Sequence, residues 1–331
     1  MKNNNVALSA ISIAAVLTLA ACGGGGGGGN SGEAAPSTGA STPTATATGA
    51  NVATPQYATD SAQLAAFNTL NQQRQSCGFP ALVENTQLDQ AAQAHASYMG
   101  QNGGQITDTE VVGNPGFTGV TYTDRAVHFG FPSATTTYSG GVSGGYYTNA
   151  TLTDAAYGQQ LAYDWLSGVY HIAVGVWPVT AIGVGFNQTT YNSFPEIQAS
   201  LLIANFTTMS NVPLTFPCQG TSGVAYLSGG ETPTPPNVSG NWGTPIAVAG
   251  NSGDTIALIA GTVTDASGNV TTLQLLDSAN DPNKVLPKYE AVAYPATPLL
   301  PNTSYSVSLA GTVNGTAFSR NFTFTTGNIV G

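Results

Sequence analysis

The stretch GVSGG, Gly141 to Gly145, fits G-x-S-x-G, and Ser143 is followed by Asp154 or Asp164 and then by His171. That is the Ser, Asp, His order of an α/β-hydrolase, in which the imidazole takes the hydroxyl proton and the carboxylate fixes the imidazole. The setting argues against a triad. A nucleophile elbow needs a buried strand immediately before the serine and a helix immediately after it; here SATTTYS precedes and YYTNAT follows, neither apolar enough, and fewer than thirty residues separate Ser143 from His171. His171 remains the sharper question. It is one of only three histidines and stands just past the aromatic, helix-like segment YDWLSGVY. It is either a working catalytic or metal-binding group, or an imidazole hydrogen-bonded within a wall that orients the neighbouring loop. His95 lies on a helical stripe and is expected to be a packed core histidine, and His128, beside Phe129 and Phe131, is given no role.

The elements that must position these groups begin after an export signal. MKNNNVALSAISIAAVLTLAAC has a lysine near its start, an apolar run from Val6 to Ala20 and small residues before Cys22, the pattern of a secretory signal peptide over 1–21. Leu19-Ala20-Ala21-Cys22 resembles the bacterial lipobox, which implies a lipidated Cys22 as the first mature residue, a membrane partner through that lipid and, with no acidic residue following, the outer membrane. Seven glycines come next, as a tether would. Residues 22–60 are Gly, Ser, Thr, Ala and Pro with almost no large apolar side chains and read as a flexible stalk. Removing Cys22 from three cysteines leaves Cys77 and Cys218, expected to be bonded in an oxidising compartment.

Lys and Arg total 6 against 16 Asp and Glu, a formal charge of −10, so little is available to neutralise a phosphate backbone and no nucleic-acid partner is expected.

Past the stalk, the domain at 61–220 opens with helices. Leu64, Phe67 and Leu70 share one face after a cap at Thr59 or Asp60, and Gly78 ends that helix. Asn85 caps a second helix with Leu88, Ala91, Ala92, His95 and Met99 on its stripe. Thr123 or Asp124 starts a short third, and a fourth runs from about Asp154 to Ser167 with Leu161 and Trp165 inward. TAIGVGFNQTT and FPEIQASLLIANFTT read as neighbouring strands. Helices first and strands later indicate an α+β layer structure. The prolines of SGGETPTPPNVSG mark a linker at 221–239. The last domain, 240–331, alternates in short strands with an Asn-Gly turn, the pattern of a small all-β sandwich.

LNQQRQSCGFPAL, LDQAAQAHASYM, GFTGVTYTDRAVHFGF, WLSGVYH and IGVGF occur in the order and rough spacing of bacterial CAP-superfamily (SCP-like) domains, and the chain is similar to that family from about Ser61 to Cys218. The resemblance implies an α-β-α sandwich with a central cleft that in many members holds two histidines and two glutamates able to take zinc. His171 falls at the second cleft histidine. Where the first begins a His-Thr-Glu segment, this chain has Asp108-Thr109-Glu110, and the region of the first glutamate is YSGGVSGGYYTN, without a carboxylate. LLPNTSYSVSLAGTVNG and FTFTTG resemble bacterial Ig-like domains, which act as spacers or adhesive modules.

Zinc sites draw on imidazole, thiolate and carboxylate. His171, Asp108 and Glu110 supply one nitrogen and two oxygens if they converge, a set poorer than the family's and more oxygen-rich, toward calcium. The aromatics Tyr138, Tyr146, Tyr147, Trp165, Tyr170 and Trp177 lie in the same part of the chain, and aromatic walls suit apolar or glycan ligands. The reading is therefore a surface lipoprotein whose CAP cleft, lined by His171, Asp108, Glu110 and Tyr170, binds a lipid, glycan or protein without resident cofactor. The rivals are a metal-assisted hydrolase using His171, Asp108 and Glu110, and adhesion through the Ig-like module. Glu196 of FPEIQ is a carboxylate the reading leaves unplaced.

Overall fold

The helical stripes form close to where their spacing puts them. A computed structural model describes residues 8–9, 50–133 and 139–331; the cleavage site, Cys22, the stalk up to residue 49 and Tyr138 lie outside the described residues. The first strand is the two-residue β1 (Leu8–Ser9). Helix α1 (Ala62–Ser76) is capped by Ser61, whose hydroxyl accepts from Leu64 N. Asp60 cannot serve, because its φ of 62° is left-handed and an N-cap needs extended backbone. Asn85 caps α2 (Thr86–Gln101) as expected. α3 (Tyr122–His128) starts two residues early, because Thr121 and Asp124 form a reciprocal capping box. α4 spans Asp154–Ser167, and the short α5 (Ala173–Val176) follows the turn that holds His171.

These helices cover both faces of a five-stranded sheet in the order β2 (Asn51–Val52), β3 (Val83–Asn85), β5 (Val179–Tyr191), β6 (Phe194–Phe206), β4 (Ser139–Tyr147). β5 and β6 pair antiparallel through a two-residue turn at Asn192 and Ser193, both at positive φ. Alternate residues face opposite sides, which separates two packing zones. On one side Leu88, Ala91 and Ala92 of α2 and Tyr122 of α3 meet Ala181, Leu202 and Ala204. On the other, Phe67 and Leu70 of α1 and Leu161 and Trp165 of α4 meet Ile182, Val184 and Leu201. Gly183 and Gly185 explain the IGVGF element: a Cβ at either would fall on the α2 backbone at Leu88 or Ala92.

The stalk ends earlier than the composition indicates. Asn51–Val52 pairs with Glu84–Asn85, and Tyr57 packs on Phe67. Two β residues are too few to show a period, so the strand is invisible in the sequence.

The remainder is β-rich. β7 (Leu214–Phe216), β10 (Ile246–Ala249), β14 (Glu290–Tyr294) and β13 (Gln274–Asp277) form one sheet; β8 (Ser222–Val224), β16 (Thr316–Thr326), β15 (Ser304–Val313), β11 (Ile256–Asp265) and β12 (Val270–Thr272) form the other. The Asn-Gly hairpin is present at Asn314 and Gly315, both at positive φ. Residues 221–239 are not a free linker. They contribute β8 and β9 (Glu231–Thr232), the latter parallel to β1. One apolar core runs on from α1, α4 and α5 into both β-rich sheets. Trp242 Nε1 donates to Ser167 O at 3.0 Å and Trp177 Nε1 to Glu290 Oε2 at 2.6 Å across that junction.

Cys77 and Cys218 form the expected disulfide, across a separation of 141 residues. Replacing both by serine is expected to lower the unfolding free energy by about 2–5 kcal/mol in urea titrations, because closure of so long a loop no longer restricts the unfolded chain.

Candidate functional site

His171 and the two carboxylates expected to join it occupy separate networks. His171 sits in the turn between α4 and α5, fully buried, and neither ring nitrogen has a hydrogen-bond partner among the described residues. Its nearest charged neighbour is Glu231, whose Oε1 lies 3.6 Å from His171 Nδ1. Glu231 is itself saturated by the turn: Oε1 accepts from Tyr170 N and His171 N, and Oε2 from Val169 N, each at 2.8 Å. Three successive N–H groups that no helical carbonyl can satisfy thus converge on one carboxyl. Gly168 keeps the approach open, since a Cβ there would crowd Glu231 Oε1 and the His171 side chain. Burial pushes Glu231 up to about 8 and His171 down to about 3, so both are predominantly neutral at pH 7 and their contact is not an ion pair.

Tyr170, expected in the cleft, is fully buried and faces the β-rich part. Its hydroxyl donates to Asp281 Oδ1 at 2.9 Å and accepts from Asn283 Nδ2 at 2.8 Å. Arg74 anchors the same region from α1, donating to the carbonyls of Pro80, Val174, Trp177 and Val179.

Asp108 and Glu110 belong to a second network, built around His95. Glu110 Oε2 accepts from Thr118 N and Gly119 N, and Oε1 lies 2.9 Å from His95 Nδ1. Burial pushes this carboxyl up, but His95, the Thr118 N–H and Arg125 outweigh it and hold Glu110 below the usual range. Asp108 Oδ1 accepts from Tyr122 OH at 2.6 Å and from Ser143 N at 3.1 Å, and burial raises its carboxyl to about 7. Arg125 donates to Asp108 O, Gly119 O and Val120 O, so the whole loop from 108 to 120 is closed on itself.

This network contains a Ser, His, Glu arrangement that the sequence does not announce: Ser143 Oγ lies 3.2 Å from His95 Nε2, and His95 Nδ1 faces Glu110. The protons run the wrong way for catalysis. His95 Nε2 is 2.8 Å from the Thr107 carbonyl and must carry its hydrogen there. Tyr122 spends its proton on Asp108, so the Ser143 hydroxyl, 2.8 Å away, donates to Tyr122. His95 Nε2 thus has no lone pair to receive the serine proton, and Ser143 is fully buried in the middle of β4 opposite Ser200. The absent nucleophile elbow agrees with the sequence reading.

The expected metal set of His171, Asp108 and Glu110 is therefore corrected. Asp108 and Glu110 are engaged in the His95 network while His171 lies beside Glu231, and among the described residues no group of three or more His, Cys, Asp or Glu could hold a metal ion. His95, expected only as core, is instead the centre of a polar network. A buried imidazole on an apolar stripe needs partners, and that need was the available signal. Glu231 carried no such signal, being 60 residues from His171 in a proline-rich segment.

Two of the recesses lie in the part that runs from β2 to β6. One of about 560 Å³ is lined by Gln56, Tyr57, Glu84, Asp89, Gln93 and Phe129 among others. In it Tyr57 OH donates to Asp89 Oδ1 at 2.6 Å, and burial together with the charge of Glu84 raises Asp89 to about 8. The other, of about 200 Å³, lies between Gly104, Gln105 and Ile106 and the sheet residues Tyr146, Tyr147, Tyr191 and Glu196.

Residues 67–208 match the family model for CAP, the cysteine-rich secretory protein family. No curated protein and no solved structure matches the chain. Among the described residues no helix is long and apolar enough to cross a membrane. The matched segment runs from within α1 to just past β6, the part with helices on both faces of the sheet, and supports a CAP-superfamily domain there, followed by a β-rich part.

Proposed function

We propose that the protein is a lipid-anchored CAP-domain protein of the bacterial outer membrane, tethered through Cys22, that acts as a non-enzymatic binding module with a degenerate His/Glu site. The β-rich part, read as an Ig-like domain, presents it. The observation that carries this reading is the internal engagement of Asp108 and Glu110: Glu110 bonds through both oxygens to His95 and to the Thr118 and Gly119 N–H groups, and Asp108 Oδ1 to Tyr122 and the Ser143 N–H, so both carboxyls are committed to the 108–120 loop and its neighbours and not to His171. A metal-assisted hydrolase needs those carboxylates around one ion. The accessible recesses are lined by tyrosine, glutamine and isolated carboxylates, groups that suit recognition of a polar ligand.

Zinc and calcium titration calorimetry on the protein, with His171→Ala as the control, tests the reading. No micromolar binding is expected. Micromolar binding that disappears in the variant restores the hydrolase and redirects the search to substrates.

A further inference from the structure

The smaller recess lies near the tip of the β5–β6 hairpin, past the end of α2, and neither His171 nor His95 lines it. Tyr147, Glu196 and Thr189 stand opposite one another across β4, β6 and β5 and so share a face. Tyr191 follows two residues after Thr189 on that face, 48% exposed, with its ring centroid 5.3 Å from that of Tyr147. The two rings form a shallow aromatic platform on a tight two-residue hairpin.

At its edge Glu196 is held in place by its neighbours. Oε2 accepts from Thr189 Oγ1 at 2.7 Å and from Gln198 Nε2 at 3.2 Å, and Gln198 Oε1 in turn accepts from Asn187 Nδ2 at 2.7 Å. Oε1 has no hydrogen-bond donor among the described residues. The carboxylate fits where it does because position 104 is glycine: a Cβ there would fall on the Glu196 carboxyl, and the φ of 73° is one that glycine adopts freely. A fixed acceptor, two aromatic rings tilted 52° to one another and the exposed Gln105 amide therefore converge on about 200 Å³ of open space.

We propose that this recess is a carbohydrate subsite, in which a neutral pyranose ring stacks on Tyr191 and Tyr147 while Glu196 Oε1 and the Gln105 amide bond its hydroxyls. A carboxylate at the wall of a chain with net charge −10 disfavours an anionic ligand. An organic cation prefers to be enclosed by ring faces, and the Tyr147 and Tyr191 rings already touch, leaving no slot between them. An acyl chain would bury Glu196 and Gln105 without partners. A sugar has both an apolar face and vicinal hydroxyls and satisfies all of these groups. The inference names a ligand class for the binding role proposed above and rests on that role, while placing the contact away from His171.

The test is an array of neutral oligosaccharides (chito-, cello-, manno- and malto-series) probed with the whole protein, followed by calorimetry on any hit. At least one series is expected to bind. Tyr191→Ala should weaken it about tenfold, Glu196→Gln should weaken it several-fold, Tyr191→Phe should weaken it less than Tyr191→Ala, and His171→Ala should leave it unchanged. Tyr191 is half exposed, so its variants are expected to fold, and far-ultraviolet circular dichroism checks this. Absence of binding across the array overturns the subsite, as does displacement of the sugar by choline. Binding that His171→Ala abolishes and Tyr191→Ala spares also overturns it, leaving the binding-module reading intact at another location.

Discussion

Replacing Glu231 by alanine is expected to destabilise the protein by about 3 kcal/mol or more, the largest effect of any single side chain outside the apolar core. The variant leaves the N–H groups of Val169, Tyr170 and His171 without their acceptor in a region that excludes water. Each unsatisfied buried donor costs about 1–3 kcal/mol. Glu231→Gln should do less harm, because the amide oxygen still accepts on one side and because Glu231 is predominantly neutral at pH 7, so no buried charge is removed. Its expected loss is the single N–H that would face the amide nitrogen. Equilibrium urea unfolding orders the three proteins: wild type, then glutamine, then alanine. An alanine variant within about 1 kcal/mol of wild type would mean that water or backbone rearrangement replaces the carboxyl.

Thermal stability should fall as pH rises from 6 to 9. Asp89, Glu231 and Glu290 have folded-state values near 8 and Asp108 and Asp164 near 7, raised in each case chiefly by burial. Their unfolded values are near 4. Groups raised on folding contribute stability that is complete below the unfolded value and is lost as pH climbs through the folded one. The loss therefore runs from about pH 4 to about pH 8, and the part of it that lies above pH 6 is complete by about pH 9. At the acid end the sign reverses: His171, pushed down to about 3, contributes stability that is lost as pH falls below the unfolded value near 6.5. Glu110, held below its ordinary value, acts in the same direction. A melting temperature lower at pH 9 than at pH 6 by at least about 5 °C is expected, each kcal/mol being worth about 2 °C or less in a chain longer than about 250 residues. A midpoint that is level or rises across that interval would show that these carboxyls are hydrated in solution. Glu290→Gln, which removes one of the five, should flatten the alkaline limb.

What could be read from the sequence was local. α4 begins and ends where its cap and apolar spacing place it, the Asn314-Gly315 turn makes its hairpin, and the cysteine count gives the disulfide. Each signal lies within a few residues or follows from the compartment. The site was legible only in its members. Asp108 and Glu110 stand in the segment the family comparison points to, yet whether they face a cleft or a loop interior depends on Arg125, Tyr122 and the backbone of Thr118 and Gly119, brought in by folding. Glu231 was hidden for the opposite reason. Prolines around it mark a break in regular structure, and a break in regular structure was read as a linker, although the segment lays a buried carboxyl on the turn that follows α4.

Strand β7 closes one edge of the first β-rich sheet, yet it precedes the segment taken for a boundary, and β8 lies within it. The line along which the chain resembles two families is thus not the line along which it folds. Cutting at residue 239 would strip each sheet of a strand and open the core shared by Trp177, Tyr289 and Trp242. Residues 50–331 would have to move together in any exchange between related chains, or the seam would have to be remade on both sides.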